Sequence, residues 1–206
     1  MKRALLIVSA LGAVAVANAQ PTNFVDLGTI NSISSDYNVA DLSVIAPVAG
    51  STVTWYRFNL AQATGSVGAY FDIDLFATGT TAQLDTEIGL YDNLGSMVAN
   101  DDDDGHSLRS ALTFGNTTPR TMPPDPFGFT NGVAANGRDG NLGVATYWLA
   151  VSNFSTTHGA SNWTVTSTGT AQGTVQVNFR TDAVPEPATM AVLGLGVAAM
   201  ARRRRK

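Results

Sequence analysis

The chain has 206 residues, no cysteine and a formal net charge of −4. That length allows one domain plus signals, and a secreted domain of about 160 residues does without disulfides, while thiol catalysis and thiolate metal sites are excluded. Seven of the twelve Lys and Arg sit at the two ends, against one of the sixteen acids, so residues 20–183 carry ten net negative charges, a surface that repels nucleic acid and anionic lipid and attracts divalent cations.

The first element is a leader. Lys2 and Arg3 precede an apolar run over 4–16, and Ala17, Asn18 and Ala19 then form a small-x-small cleavage box before Gln20. Charge, apolar run and box in that order predict a secretory signal peptide over 1–19, a short apolar helix removed by signal peptidase.

Residues 20–183 show no long segment with helical period. Thr, Ser, Gly, Asn, Val and aromatics alternate in short runs between turn residues. Strands are expected at 52–60, 69–76, 86–91, 96–99, 110–114, 144–151, 163–167 and 174–179. Tyr56, Phe58 and Leu60 share one face of the first. Phe71, Ile73 and Leu75 share one face of the second, with Asp72 and Asp74 opposite. Eight or nine strands with no intervening helix predict an all-β, antiparallel β-sandwich, jelly-roll-like, with one apolar helix before it and one after it. The stretch 116–141 holds four of the eight prolines, Pro119, Pro123, Pro124 and Pro126. No catalytic group converges on it, and it is expected to be a mobile connection.

The sharpest polar feature is Asn100 followed by Asp101, Asp102, Asp103 and Asp104. Four adjacent carboxylates repel one another and must be solvated or neutralised by a cation. Calcium takes six to eight oxygens, and Asp85, at the start of the preceding strand, can supply more. In extended chain Asp101 and Asp103 would face one way, Asp102 and Asp104 the other. The candidate calcium ligands are therefore Asp85, Asp101, Asp102, Asp103 and Asp104, with a solvated acidic turn as the alternative.

Catalytic constellations are weak. His106 and His158 are the two histidines, too few for a His-type metal site. No Gly-x-Ser-x-Gly elbow accompanies His106, and nothing sets the separation that would make Glu87 and an Asp a glycosidase pair. No enzyme is expected. Trp55, Trp148 and Trp163 are expected in the core rather than as stacking platforms.

The runs DTEIGLYD at 85–92, Gly95, MVANDDDD at 97–104, Ser107, Ser110 and ATYWLAV at 145–151 resemble the bacterial pre-peptidase C-terminal domain. The resemblance spans about residues 50–180. Ala145 stands where that family commonly has Gly, and the proline-rich stretch is an insertion. The resemblance implies a β-sandwich accessory module, generally non-catalytic, in which calcium-supported loops occur.

The tail has three ordered parts: Val184, Pro185, Glu186 and Pro187; an apolar run to Ala201; and Arg202, Arg203, Arg204, Arg205 and Lys206. The prolines cannot extend a sheet. As a helix, residues 188–201 reach about 21 Å, short of a hydrocarbon core of about 30 Å, so they make a marginal membrane stop with the cations on its cytoplasmic side. This tail, over 184–206, resembles the PEP-CTERM sorting signal. The resemblance implies recognition by an exosortase, transient tethering in the inner membrane, and sorting to the cell surface or extracellular matrix of a bacterium that makes exopolysaccharide. The resulting expectation is a non-enzymatic exported surface or matrix protein, with a calcium-supported polysaccharide-binding module as the alternative.

Overall fold

The computed structural model describes residues 19–32, 36–65, 69–78, 84–129 and 132–182. The signal peptide up to Asn18, the Pro-Glu-Pro motif and the apolar and basic tail lie outside them, as do the two flanking helices expected there. Among the described residues there is no helix, and eleven strands form three sheets. These are β1 (Val25–Ile30), β2 (Leu42–Ala49), β3 (Thr54–Leu60), β4 (Tyr70–Ala77), β5 (Thr86–Asp92), β6 (Met97–Asp101), β7 (Ala111–Gly115), β8 (Ala145–Asn153), β9 (Thr156–His158), β10 (Val165–Ser167) and β11 (Gln172–Thr181).

A five-stranded sheet, in the order β1-β3-β8-β5-β6, faces a four-stranded sheet, β2-β11-β4-β7. Alternation buries one side of each strand, and the buried sides meet. Tyr56, Phe58, Ile88, Leu90, Leu149 and Val151 come from the first sheet. Phe71, Ile73, Leu75, Leu112, Val177 and Phe179 come from the second. Phe58 joins the two layers, with ring centroids 5.4 Å from Phe71 and 5.6 Å from Phe179. The sandwich expected from the alternating runs is therefore present.

One pairing departs from the all-antiparallel expectation: β1 lies parallel to β3. The chain leaves β1, runs β2 in the opposite sheet, and returns as β3, so the two strands share a direction. The register slips between Asp26 and Thr29. There Gly28 takes a positive φ of 69° and its N–H donates to Asp26 Oδ1 at 3.0 Å.

The outer faces are covered too. The β9–β10 hairpin and Trp163 pack on the five-stranded sheet, where Tyr91, Trp148 and Ala150 form a second cluster with Phe24, Trp55 and Val165 partly buried around it. This confirms the tryptophans as packing residues. The described part of 116–141 is a packed cover of the four-stranded sheet rather than a free connection, which corrects the expectation. Met122 and Ala135 are buried against Ala111. Arg120 bridges to Asp72 at 2.9 Å and Arg180 to Asp74 at 2.8 Å, all four side chains being at most 10% exposed. Four carboxylate and guanidinium groups on this face need partners out of water, and Arg120 is the one that 116–141 brings.

Candidate metal centre

Strand β6 ends at Asp101, and residues 102–108 bend back toward β7. This breaks the alternation expected for the acidic run. Asp101 turns into the fold: its Oδ2 accepts N–H bonds from Ala111 at 2.7 Å and Asp104 at 3.2 Å. Asp104 pairs with Arg138 Nε at 2.9 Å. The bend is fixed by backbone bonds, with Gly105 N–H donating to Arg109 O at 2.7 Å. A Cβ at Gly105 would stand 2.4 Å from that same carbonyl oxygen, so the turn admits only glycine without a shift.

The remaining two carboxylates go elsewhere. Asp85, Asp102 and Asp103 bring oxygens within 4.8 Å of one another. Asp85 Oδ1 and Asp102 Oδ1 are buried and have no hydrogen-bond partner among the described residues. Burial first, then the charges of Asp103, Glu87 and Asp85, push the Asp102 carboxyl up to about 6. Burial, then Asp103 and Glu87, raise that of Asp85 as well. Burial also pushes Asp101 up to about 7, against the lowering effect of the Ala111 N–H.

Three mutually repelling carboxylates, two of them with an unpartnered buried oxygen, fit a hard cation. Oxygen-only ligand sets of this kind suit calcium or magnesium, with water and backbone oxygens completing the shell. Of the five sequence-expected ligands, Asp85, Asp102 and Asp103 converge, whereas Asp101 and Asp104 do not. Both of the latter are spent on the fold, Asp101 on backbone N–H groups and Asp104 on a guanidinium.

Glu87 adjoins the centre, a neighbour whose sequence signal is its i+2 spacing from Asp85 in an extended strand. Its Oε1 accepts the Thr156 N–H at 3.0 Å. Its Oε2 lies 4.0 Å from His158 Nε2. Burial pushes the His158 imidazole down to about 4, so at neutral pH the ring is neutral. The ring occupies the space above Gly89, where a Cβ would come 2.3 Å from Nδ1. His106 lies apart, buried against Phe76, with Nε2 2.8 Å from Pro123 O.

No curated protein matches the chain. Residues 183–206 match the PEP-CTERM protein-sorting motif, the signal of exported proteins that are sorted at the membrane and processed by an exosortase.

Proposed function

We propose that this is a non-enzymatic cell-surface or extracellular-matrix protein. Its sandwich is exported behind a signal peptide, held in the inner membrane by residues 188–201 with Arg202, Arg203, Arg204, Arg205 and Lys206 inside, and then sorted by an exosortase acting at Val184, Pro185, Glu186 and Pro187. The observation that carries this reading is the sorting motif at 183–206. The fold agrees with it. β11 lies between β2 and β4, and Asp182 still donates its N–H to Tyr70 O at 3.3 Å, so the domain runs up to the signal with no spacer. A non-enzymatic role is supported by the two histidines, which are buried in separate packing environments.

The test is genetic. Replacing Pro185, Glu186 and Pro187 by alanine should leave an exported precursor in the inner-membrane fraction, and deleting the host exosortase should do the same. Unchanged delivery to the surface in both strains contradicts the reading.

The second reading is a calcium-supported polysaccharide-binding module related to the pre-peptidase C-terminal domain. It is favoured by the convergence of Asp85, Asp102 and Asp103. The motif stretches that carry the resemblance fall on β5, β6 and β8, which are neighbours in one sheet. Calcium titration of the full-length chain, followed by retention on the exopolysaccharide of the producing cells, tests it. Loss of retention in chelator supports it, and no retention in calcium contradicts it.

A further inference from the structure

Where β8 ends, a cavity of about 240 Å³ opens between Asn153, Phe154 and Ser155 on one side and residues 168–171 on the other, with Asp85 in its wall. It exceeds the ~30 Å³ share of one water and falls below the ~300–1,000 Å³ of drug-sized pockets, so it suits one small ring.

The walls are built before any ligand arrives. Asn153 is 1% exposed, and its Nδ2 donates to Gly50 O and Ala171 O, both at 2.7 Å. That fixes the amide orientation and leaves Oδ1 buried with no partner among the described residues. Ser155 is held at a φ of 67°, and its carbonyl accepts both the N–H and the hydroxyl of Thr168 at 3.1 Å. Gly169 closes the floor, since a Cβ there would stand 2.3 Å from Asn153 Cβ. Phe154 is left 51% exposed at the rim.

The lining defines its ligand. Asp85 offers an acceptor, Ser155 and Thr170 carry hydroxyls that donate or accept, and the Thr168 hydroxyl, which donates to Ser155 O, is left to accept. Among the described residues no cationic side chain lines the cavity. An anion is disfavoured by Asp85 and by the adjacent Asp102 and Asp103. A ligand that donates hydrogen bonds, carries no negative charge and has an apolar face for Phe154 satisfies every wall. A neutral sugar ring has those three properties.

We infer that this cavity is a subsite for one neutral sugar residue of a polysaccharide, with Asp85 accepting from its hydroxyls, the Ser155 and Thr170 hydroxyls beside it, and Phe154 against its C–H face. The inference rests on the polysaccharide-binding reading but not on calcium, because the cavity shares only Asp85 with the carboxylate cluster.

The test uses the full-length chain in detergent. Neutral oligosaccharides of glucose, galactose and mannose and an oligouronate are titrated by calorimetry, with parallel retention on the producing cells' exopolysaccharide. At least one neutral oligosaccharide should bind, the oligouronate should not, and Phe154→Ala and Thr170→Trp should each weaken binding by tenfold or more with the thermal midpoint unchanged. Exopolysaccharide retained equally by wild type and both variants overturns the subsite and leaves the polysaccharide reading standing. Failure of the wild type to retain exopolysaccharide overturns both. Binding confined to the oligouronate overturns the neutral-sugar assignment.

Discussion

Asp85, which enters β5, and Asp102, which leaves β6, place carboxylate oxygens within 4.8 Å of each other, and each has one buried oxygen that no described residue satisfies. Two negative charges so placed destabilise the empty fold. The Asp102 carboxyl is raised from 3.8 to about 6, so stability present below the lower value is lost as pH rises through the upper one. The buried His158, lowered to about 4, acts in the opposite direction between pH 5 and pH 7, so the test is a comparison: in chelator, the midpoint of the wild type should fall more (or rise less) from pH 5 to pH 7 than that of Asp102→Asn. Asp102 stays substantially solvated, so screening holds its own contribution below about 1 kcal/mol. Calcium at millimolar concentration should raise the midpoint at pH 7 and flatten this pH dependence. Asp102→Asn should raise the apo midpoint slightly and abolish the calcium response, whereas no calcium shift in the wild type removes the cation from the account.

The Arg120–Asp72 bridge ties residues 116–141 to the four-stranded sheet. Removing Arg120 leaves Asp72, 2% exposed, without its cation. Arg120→Ala should cost about 3–5 kcal/mol in denaturant unfolding. The double variant with Asp72→Ala should recover part of it, because no buried charge is then stranded. Equal losses in the single and double variants would mean that packing, not charge, holds the cover.

Phe58 touches Phe71 and Phe179 across the two layers and Tyr147 within its own sheet. Phe58→Ala should cost about 3–5 kcal/mol through lost burial and the cavity left behind. A loss under about 1 kcal/mol would contradict the two-sheet packing.

Gly89 gives His158 its place over β5. Gly89→Ala should destabilise the chain by about 1–3 kcal/mol by overpacking, and adding His158→Ala should relieve much of that loss. Persistence of the full effect in the double variant would show that the backbone at Gly89, not the ring above it, sets the requirement.

The strands that read well in the sequence are those that cross the core. Phe71, Ile73 and Leu75 alternate with Asp72 and Asp74, and the alternation survived because both faces are buried, one apolar and one ion-paired. Of the four edge strands of the two large sheets, β6 and β7 read in the sequence and β1 and β2 do not. β1 is interrupted by Gly28 and buries little beyond Ile30, and β2 carries Pro47, tolerated because β11 is its one neighbour. β9 has three residues, too few for a period. The strand expected from Trp163 begins instead at Val165, because Asn162 and Trp163 take positive φ values of 65° and 50°. In the acidic run, composition marked the place but not the members. Which carboxylates converge depends on where β6 stops, and that is set by contacts of Asp101 and Asp104 with Ala111 and Arg138, distant in sequence. The cover formed by 116–141 was illegible for the same reason, since the partners of Arg120 and Met122 lie on other strands.

Mass analysis of both termini of the protein taken from its native cells, with and without the exosortase, tests the central claim most directly. With the enzyme, the mature chain should begin at Gln20, retain Asp182, whose backbone still belongs to the sheet, and lack Arg202, Arg203, Arg204, Arg205 and Lys206. Without it, the same amino terminus should accompany an intact carboxyl end. An unprocessed chain with Met1 and Lys206 both present, recovered from the cytosol of wild-type cells, would contradict the account.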